Sequence, residues 1–123
     1  VLGARLPRNY FTARADVLVT DDTTGRRTAK VRGDLPCRVE RIASQNVGDG
    51  RDELLRRREL RWPGDYDMPL FCDVAIRTFN HRGELVSSST WTPLQGTFGQ
   101  YSTPEGDPVY KRADIVEQTD LGA

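Results

Sequence analysis

A chain of 123 residues suits one domain and is short for two. Its 18 basic and 18 acidic side chains cancel, and hydrophobic residues make up 37% against 29% charged, so a thin core is expected. Neutrality argues against a protein that grips nucleic acid by counterion release, and no run of about 18 apolar residues offers a membrane-spanning helix.

Residues 1–12 mix Gly3, Pro7, Asn9 and aromatics without periodicity and read as an extended N-terminal arm, ordered by a neighbour. Val1–Arg8 holds no apolar stretch of signal-peptide length. Val1 is the kind of residue left when an initiator Met is trimmed, so the expectation is a whole cytosolic product. Ala15–Thr20 is β-branched and short, a strand. Asp21–Gly25 is turn chemistry, and Arg27–Arg32 returns as the second arm of a hairpin. Gly33-Asp34-Leu35-Pro36 predicts a corner, followed by a separate strand Cys37–Ala43 with a bulge or end at Arg41-Ile42. Ser44–Asp52 is a polar loop with two glycines.

Glu53–Trp62 is ambiguous. Its Leu, Arg and Glu content favours helix, but the alternation ending at Leu60 and Trp62 before Pro63-Gly64 predicts a strand over 56–62. Leu70–Arg77 is the clearest strand, with Leu70, Cys72, Val74 and Ile76 on one face. Asn80–Gly83 is a turn, Glu84–Ser88 a short strand, and Gly96–Pro108 a loop holding Phe98 and Tyr101. Val109–Gln118 closes the chain as a strand, and residues 119–123 form a tail. Six or seven short strands without a long helix predict an all-β fold, a small antiparallel β-barrel with long loops, over residues 13–118.

Chemistry-bearing residues are sparse. Cys37 and Cys72 are too few for a disulfide scaffold and read as small buried hydrophobes on strands. His81 lies in a turn, with no nucleophile nearby in sequence. Asp65, Asp67 and Asp73 surround a turn but lack the glycine and closing Glu of a calcium loop. Gly48-Asp49-Gly50 lacks the strand-to-helix context of a phosphate loop and reads as a hinge. No catalytic residue, metal site or cofactor is expected, and the chain is not read as an enzyme. Arg56, Arg57 and Arg58, beside Glu53 and Glu59, read first as solvated or ion-paired side chains. Contact with an acidic partner surface comes next, and nucleic-acid contact last. Trp62 and Trp91 read as core or barrel-end packing. The excess of Arg (16) over Lys (2) fits a GC-rich genome.

The order of elements carries a resemblance. A strand pair leads into Pro36-Cys37-Arg38-Val39-Glu40; a glycine-containing loop, a charged strand, a Gly-Asp turn, an apolar strand, a tryptophan segment and a closing charged strand follow. This order resembles the head-to-tail connector proteins of tailed bacteriophages, in the stopper or head-completion group. The resemblance covers residues 13–118. It implies a homo-oligomeric ring in the virion neck, made in the host cytoplasm, between the portal-side adaptor and the tail. Its partners would be copies of itself, the neighbouring neck proteins and packaged DNA held without sequence specificity; no membrane is involved. On the family pattern, the loop Ser44, Gln45, Asn46, Val47, Gly48, Asp49, Gly50, Arg51 and Asp52 would line the channel. Arg56, Arg57, Arg58, Phe98 and Tyr101, with the arm, would meet neighbouring subunits. Ser87–Pro108 is longer than the family's usual closing portion, so stopper, adaptor and tail terminator stay open.

Two other readings stand beside it. An OB-like barrel binding single-stranded nucleic acid would need exposed aromatics beside basic residues, for which Phe71 with Arg77 is the candidate pair. A metal-dependent enzyme would need Asp65, Asp67 and Asp73 to converge.

Overall fold

The computed structural model describes residues 10–42 and 57–118. The protein is all-β, and no helix occurs among these residues. Seven strands form: β1 (Ala13–Thr20), β2 (Arg27–Arg41), β3 (Arg57–Pro63), β4 (Asp73–Phe79), β5 (Leu85–Pro93), β6 (Gly99–Ser102) and β7 (Pro108–Glu117). Every pairing is antiparallel. The sheet runs β3-β2-β1-β4-β5-β7-β6, and the additional β3–β7 pairing closes six strands into a barrel with β6 as an extra strand. β7 makes this possible. One of its edges pairs with β3 from Arg57↔Val116 to Pro63↔Tyr110, while the other is shared by β5 at 115–117 and β6 at 108–112.

Alternation supplies the interior. Ala13, Ala15 and Val17 point inward from β1, Leu35 and Cys37 from β2, Leu60 and Trp62 from β3, Val74 and Ile76 from β4, and Ala113 and Ile115 from β7. Alanines on β1 and β7 leave room for Trp62 in a barrel this narrow. Among the described residues, 13 hydrophobic side chains are buried, which is the thin core expected from composition.

An antiparallel barrel sorts its connections by end. The start of β1, the end of β2, the start of β3, the end of β7 and the β4–β5 turn all lie at one end. The far end carries the 21–26 turn, the 64–72 connection and the 103–107 hairpin turn. Residues 64–72 cross the far end from β3 to β4, which stand opposite each other around the six strands. Met68 and Tyr66 pack onto the core there, and Trp62 Nε1 donates to the Tyr66 carbonyl at 2.9 Å. The barrel is thus capped at that end.

Several sequence expectations are corrected. The Gly33–Pro36 corner does not separate two strands: β2 runs through it as a bulge, the register passing from Ala15↔Leu35 to Val17↔Arg32. Asp34 takes φ 49°, which Asp tolerates, and its N–H donates to Asp16 Oδ1 at 3.0 Å. The strand expected over 70–77 starts at Asp73, because Pro69–Cys72 turns, with Cys72 Sγ donating to the Pro69 carbonyl at 3.3 Å. Leu70 consequently lies outside the inner face, exposed. Glu84–Ser88 and the Trp91 segment are one strand, β5. The 96–108 loop contains β6, which forms by pairing with β7. The phase break at Arg41-Ile42 is a strand end.

Candidate assembly surfaces

The outer wall of β2, β3 and β7 carries charge in rows. Arg38, Arg61 and Arg112 stand in register across the three strands; two residues along, Glu40, Glu59 and Asp114 stand in register beside them. Like charges directly opposite one another across strands are destabilising. Here the cost is offset along and between strands. Arg38 pairs with Glu40 and Arg112 with Asp114, while Glu59 accepts from Arg61 and Arg112, each at 2.6 Å. Arg57 continues the pattern, donating to Asp114 Oδ2 at 2.8 and 3.1 Å. The wall is therefore densely charged, with four arginines held on three carboxylates and each guanidinium within a few ångströms of an anion.

Two segments lie on this wall. Thr97, in the β5–β6 connection, accepts from Arg112 Nη1 through its carbonyl at 2.8 Å, and its Oγ1 accepts from the Asp114 N–H at 2.9 Å. Tyr10, at the end of the arm, is held by Arg38 Nη1 on its carbonyl at 3.1 Å and by Arg61 Nη1 on its hydroxyl at 2.5 Å. Its ring stacks on Tyr110, centroids 6.3 Å apart, and Tyr110 stacks on Tyr101 at 5.1 Å. The Arg38 and Arg61 guanidiniums lie 4.8 and 5.1 Å from the Tyr10 and Tyr110 ring centroids, within cation–π reach. Tyr10 thus docks on its own barrel, and the tyrosine ladder ends on Tyr101, which is 59% exposed.

The far end presents a third feature. Leu70 and Phe71 are exposed side by side at 56% and 61%, next to buried Cys72. Across that end lies a recess of about 260 Å³, lined by Trp62, Met68 and Phe98 with Gly99, Gln100 and Lys111.

The residues singled out from sequence fall as follows. Ser44–Asp52 and Arg56 lie outside the described residues. Arg57 is ion-paired in the wall, and Arg58 Nη1 donates to the Arg57 carbonyl at 2.9 Å. Phe98 and Tyr101 part company: Phe98 packs edge-on against Trp62 at 6.0 Å, while Tyr101 stays at the surface. Trp62 is core and Trp91 packs against it partly buried. Cys37 sits on β2 and Cys72 immediately before β4; both are free and buried. Burial pushes the Cys37 thiol up to about 12, against the pull of Arg14 and Arg77. His81 is exposed in its turn.

The three aspartates do not converge. Asp65 is exposed, Asp67 pairs with Lys111, and buried Asp73 accepts from Arg27 at 2.9 Å, Thr92 at 3.0 Å and Gln118 at 2.7 Å. Among the described residues no group of His, Cys, Asp and Glu is arranged to hold a metal. Phe71 and Arg77 do not share a strand face either, since Phe71 precedes β4. No family model matches the chain, and neither a curated protein nor a solved structure matches it.

The tyrosine ladder and the Leu70–Phe71 pair were missed from sequence. The ladder joins positions 10, 101 and 110, which no local pattern connects. The charge rows did leave a signal: opposite charges two residues apart recur at Arg38/Glu40, Glu59/Arg61 and Arg112/Asp114.

Proposed function

We propose that this chain is a structural subunit of the tailed-bacteriophage neck, a head-to-tail connector or stopper. Copies form a ring around the DNA channel between the portal-side adaptor and the tail, and shape is the working part. One arrangement carries the reading. The start of β1, the ends of β2 and β7, the start of β3 and the β4–β5 hairpin all lie at one end of a barrel whose other end is capped by Tyr66 and Met68. Such a subunit can send several segments toward neighbours and a lumen from one side while the barrel holds its shape. The ion-paired wall supports it too, since guanidiniums that already hold carboxylates do not bind phosphates tightly, as a surface past which DNA slides requires. The test is electron microscopy of the purified chain and of phage particles whose genome encodes it. Rings, and label at the neck, are expected; a chain never found in particles would overturn the reading.

One observation favours a second reading, single-stranded nucleic-acid binding. The ladder ends in an exposed ring beside guanidiniums, as a base-stacking platform requires. Against it, Arg38, Arg61 and Arg112 already hold carboxylates, which a phosphate would have to displace. Tight, salt-dependent binding of an oligonucleotide, lost in Tyr101→Ala, would favour this reading over the neck.

A further inference from the structure

We propose that the barrel carries a gate, the seam between β5 and β7, and that Asp73 latches it through Thr92 and Gln118. The inference goes beyond the neck reading and does not depend on it.

This seam is the shortest of those that close the barrel. Among the described residues β5 pairs with β7 only from Trp91↔Glu117 to Pro93↔Ile115. One further bond flanks it on each side: Gln118 N–H donates to the Thr90 carbonyl at 2.9 Å, and Leu94 N–H to the Asp114 carbonyl at 2.8 Å. The opposite edge of β7 is held by β3 from Arg57↔Val116 to Pro63↔Tyr110. β5 is held along most of its length by β4, and β4 by β1. The β4–β5 hairpin is therefore a flap, anchored at β1 and fastened to β7 only over Thr90–Leu94. An element braced by few backbone bonds opens on its own, below the free energy of global unfolding.

A latch spans the seam. Asp73, at the start of β4, is 8% exposed, and both its oxygens are engaged. Oδ1 accepts from Arg27 Nη1 at 2.9 Å and from Thr92 Oγ1 at 3.0 Å. Oδ2 accepts from Gln118 Nε2 at 2.7 Å, and the same amide donates to Thr92 Oγ1 at 2.9 Å. One carboxylate thus ties β2, β4 and β5 to the residue that follows β7. Hydrogen bonds to a charged group are about twice as strong as neutral ones, so the latch adds what the short ladder lacks. Being made of side chains, it releases without unwinding a strand.

The seam covers buried Ile115, and Trp91, which packs on the core, stands opposite Glu117. Opening uncovers both and bares the facing edges of β5 and β7, the kind of edge along which strands of different chains pair. The latch also reaches the far end of the barrel. Arg27, next to the 21–26 turn, donates to the Cys72 carbonyl at 3.1 Å, so that turn and the 64–72 connection are both joined to Asp73.

Hydrogen exchange of the full chain in sub-denaturing urea tests the gate. The Leu94 amide should exchange through an opening with a small urea dependence, while amides of the β3–β7 ladder exchange only with global unfolding. Leu94 lies at the other end of the seam from Gln118, so fraying of the chain after β7 does not account for its exchange. Gln118→Leu should speed the Leu94 amide about tenfold, the worth of one hydrogen bond to a charged group. Gln118→Glu, which sets a second carboxylate against Asp73, should speed it further. Glu59→Gln weakens the β3–β7 wall instead, so it should speed the β3–β7 amides and leave Leu94 unchanged. A wild-type Leu94 amide with the urea dependence of global unfolding overturns the gate. A Leu94 rate unmoved by Gln118→Leu, while the β3–β7 amides speed up, overturns the latch. Neither result bears on whether the chain is found at the neck.

Discussion

Glu59 Oε2 accepts from Arg112 Nε at 2.6 Å across the seam between β3 and β7, where the barrel closes. Its other oxygen accepts from Arg61 at 2.6 Å, so one carboxylate bridges two guanidiniums that face each other in register. Glu59→Gln keeps the shape and removes the charge, leaving Arg61 and Arg112 to repel. A loss of about 1–3 kcal/mol is expected in urea unfolding, larger at low salt than at high salt. Glu84→Gln, in the exposed β4–β5 turn, should stay within about 0.5 kcal/mol of wild type.

Acid stability should depend on Asp16. Arg77 donates to both its oxygens, at 3.0 and 3.3 Å, and the Asp34 N–H adds a third bond at 3.0 Å. The Arg77 bond holds the carboxyl below the usual carboxylate range, against burial, which raises it. The unfolded chain protonates this group near pH 3.9, before the folded chain does. Asp16 therefore adds stability above that pH, and the contribution disappears as pH falls through the lower folded value. Asp16→Asn should lower the urea midpoint at pH 7 and flatten its fall below about pH 4. Parallel curves for the two proteins in acid would show that Asp16 is not the group responsible.

The fold was readable because most strands obey a period of two. Leu60 and Trp62 on alternate positions decided Arg57–Pro63 against its helix-favouring Arg and Glu content, and both side chains are core. What alternation cannot reveal is long-range support. Gly33 and Pro36 read as a break, yet a carboxylate 18 positions earlier caps Asp34 and the strand continues. Gly99–Ser102 has little strand character of its own and exists as a strand because Tyr101 and Gln100 pair with Tyr110 and Lys111. The surfaces were harder for the same reason. Charge alternation is local and visible, whereas the Tyr10–Tyr110–Tyr101 ladder and the recess are made by closure of the barrel.

Gly64 should resist substitution without any unusual backbone angle. A Cβ there would fall 2.7 Å from Pro108 Cβ and 3.1 Å from the Pro108 carbonyl carbon. Pro108 begins β7, so relief requires the β3–β7 closure to shift. Gly64→Ala is expected to cost about 1–3 kcal/mol by overpacking, read as a lower melting temperature. Gly25 differs: its added Cβ meets nothing within 4 Å, but φ is +72°. Gly25→Ala should cost about 1–2 kcal/mol through left-handed strain alone. Gly25→Asn should recover part of that, and Gly64→Asn should recover nothing, because only the first site lacks a steric neighbour.

The two thiols should be silent until the barrel opens. Thiolate is the reactive form, and burial favours the neutral thiol, so Cys37 is pushed up to about 12 and Cys72 up to about 11. At pH 8 both thiols are then almost wholly in the unreactive neutral form. An aromatic disulfide reagent added to the native chain at pH 8 should release almost no chromophore, and two equivalents should appear in denaturing urea. Sub-denaturing urea separates the sites. Cys37 is on β2 within the closed wall, while Cys72 lies in the connection leading into β4, outside the strand ladder. Cys72 should label first, and a partial unfolding that exposes the 64–72 cap should be seen as one equivalent before the second. Simultaneous release of both equivalents would mean that cap and barrel open as one unit.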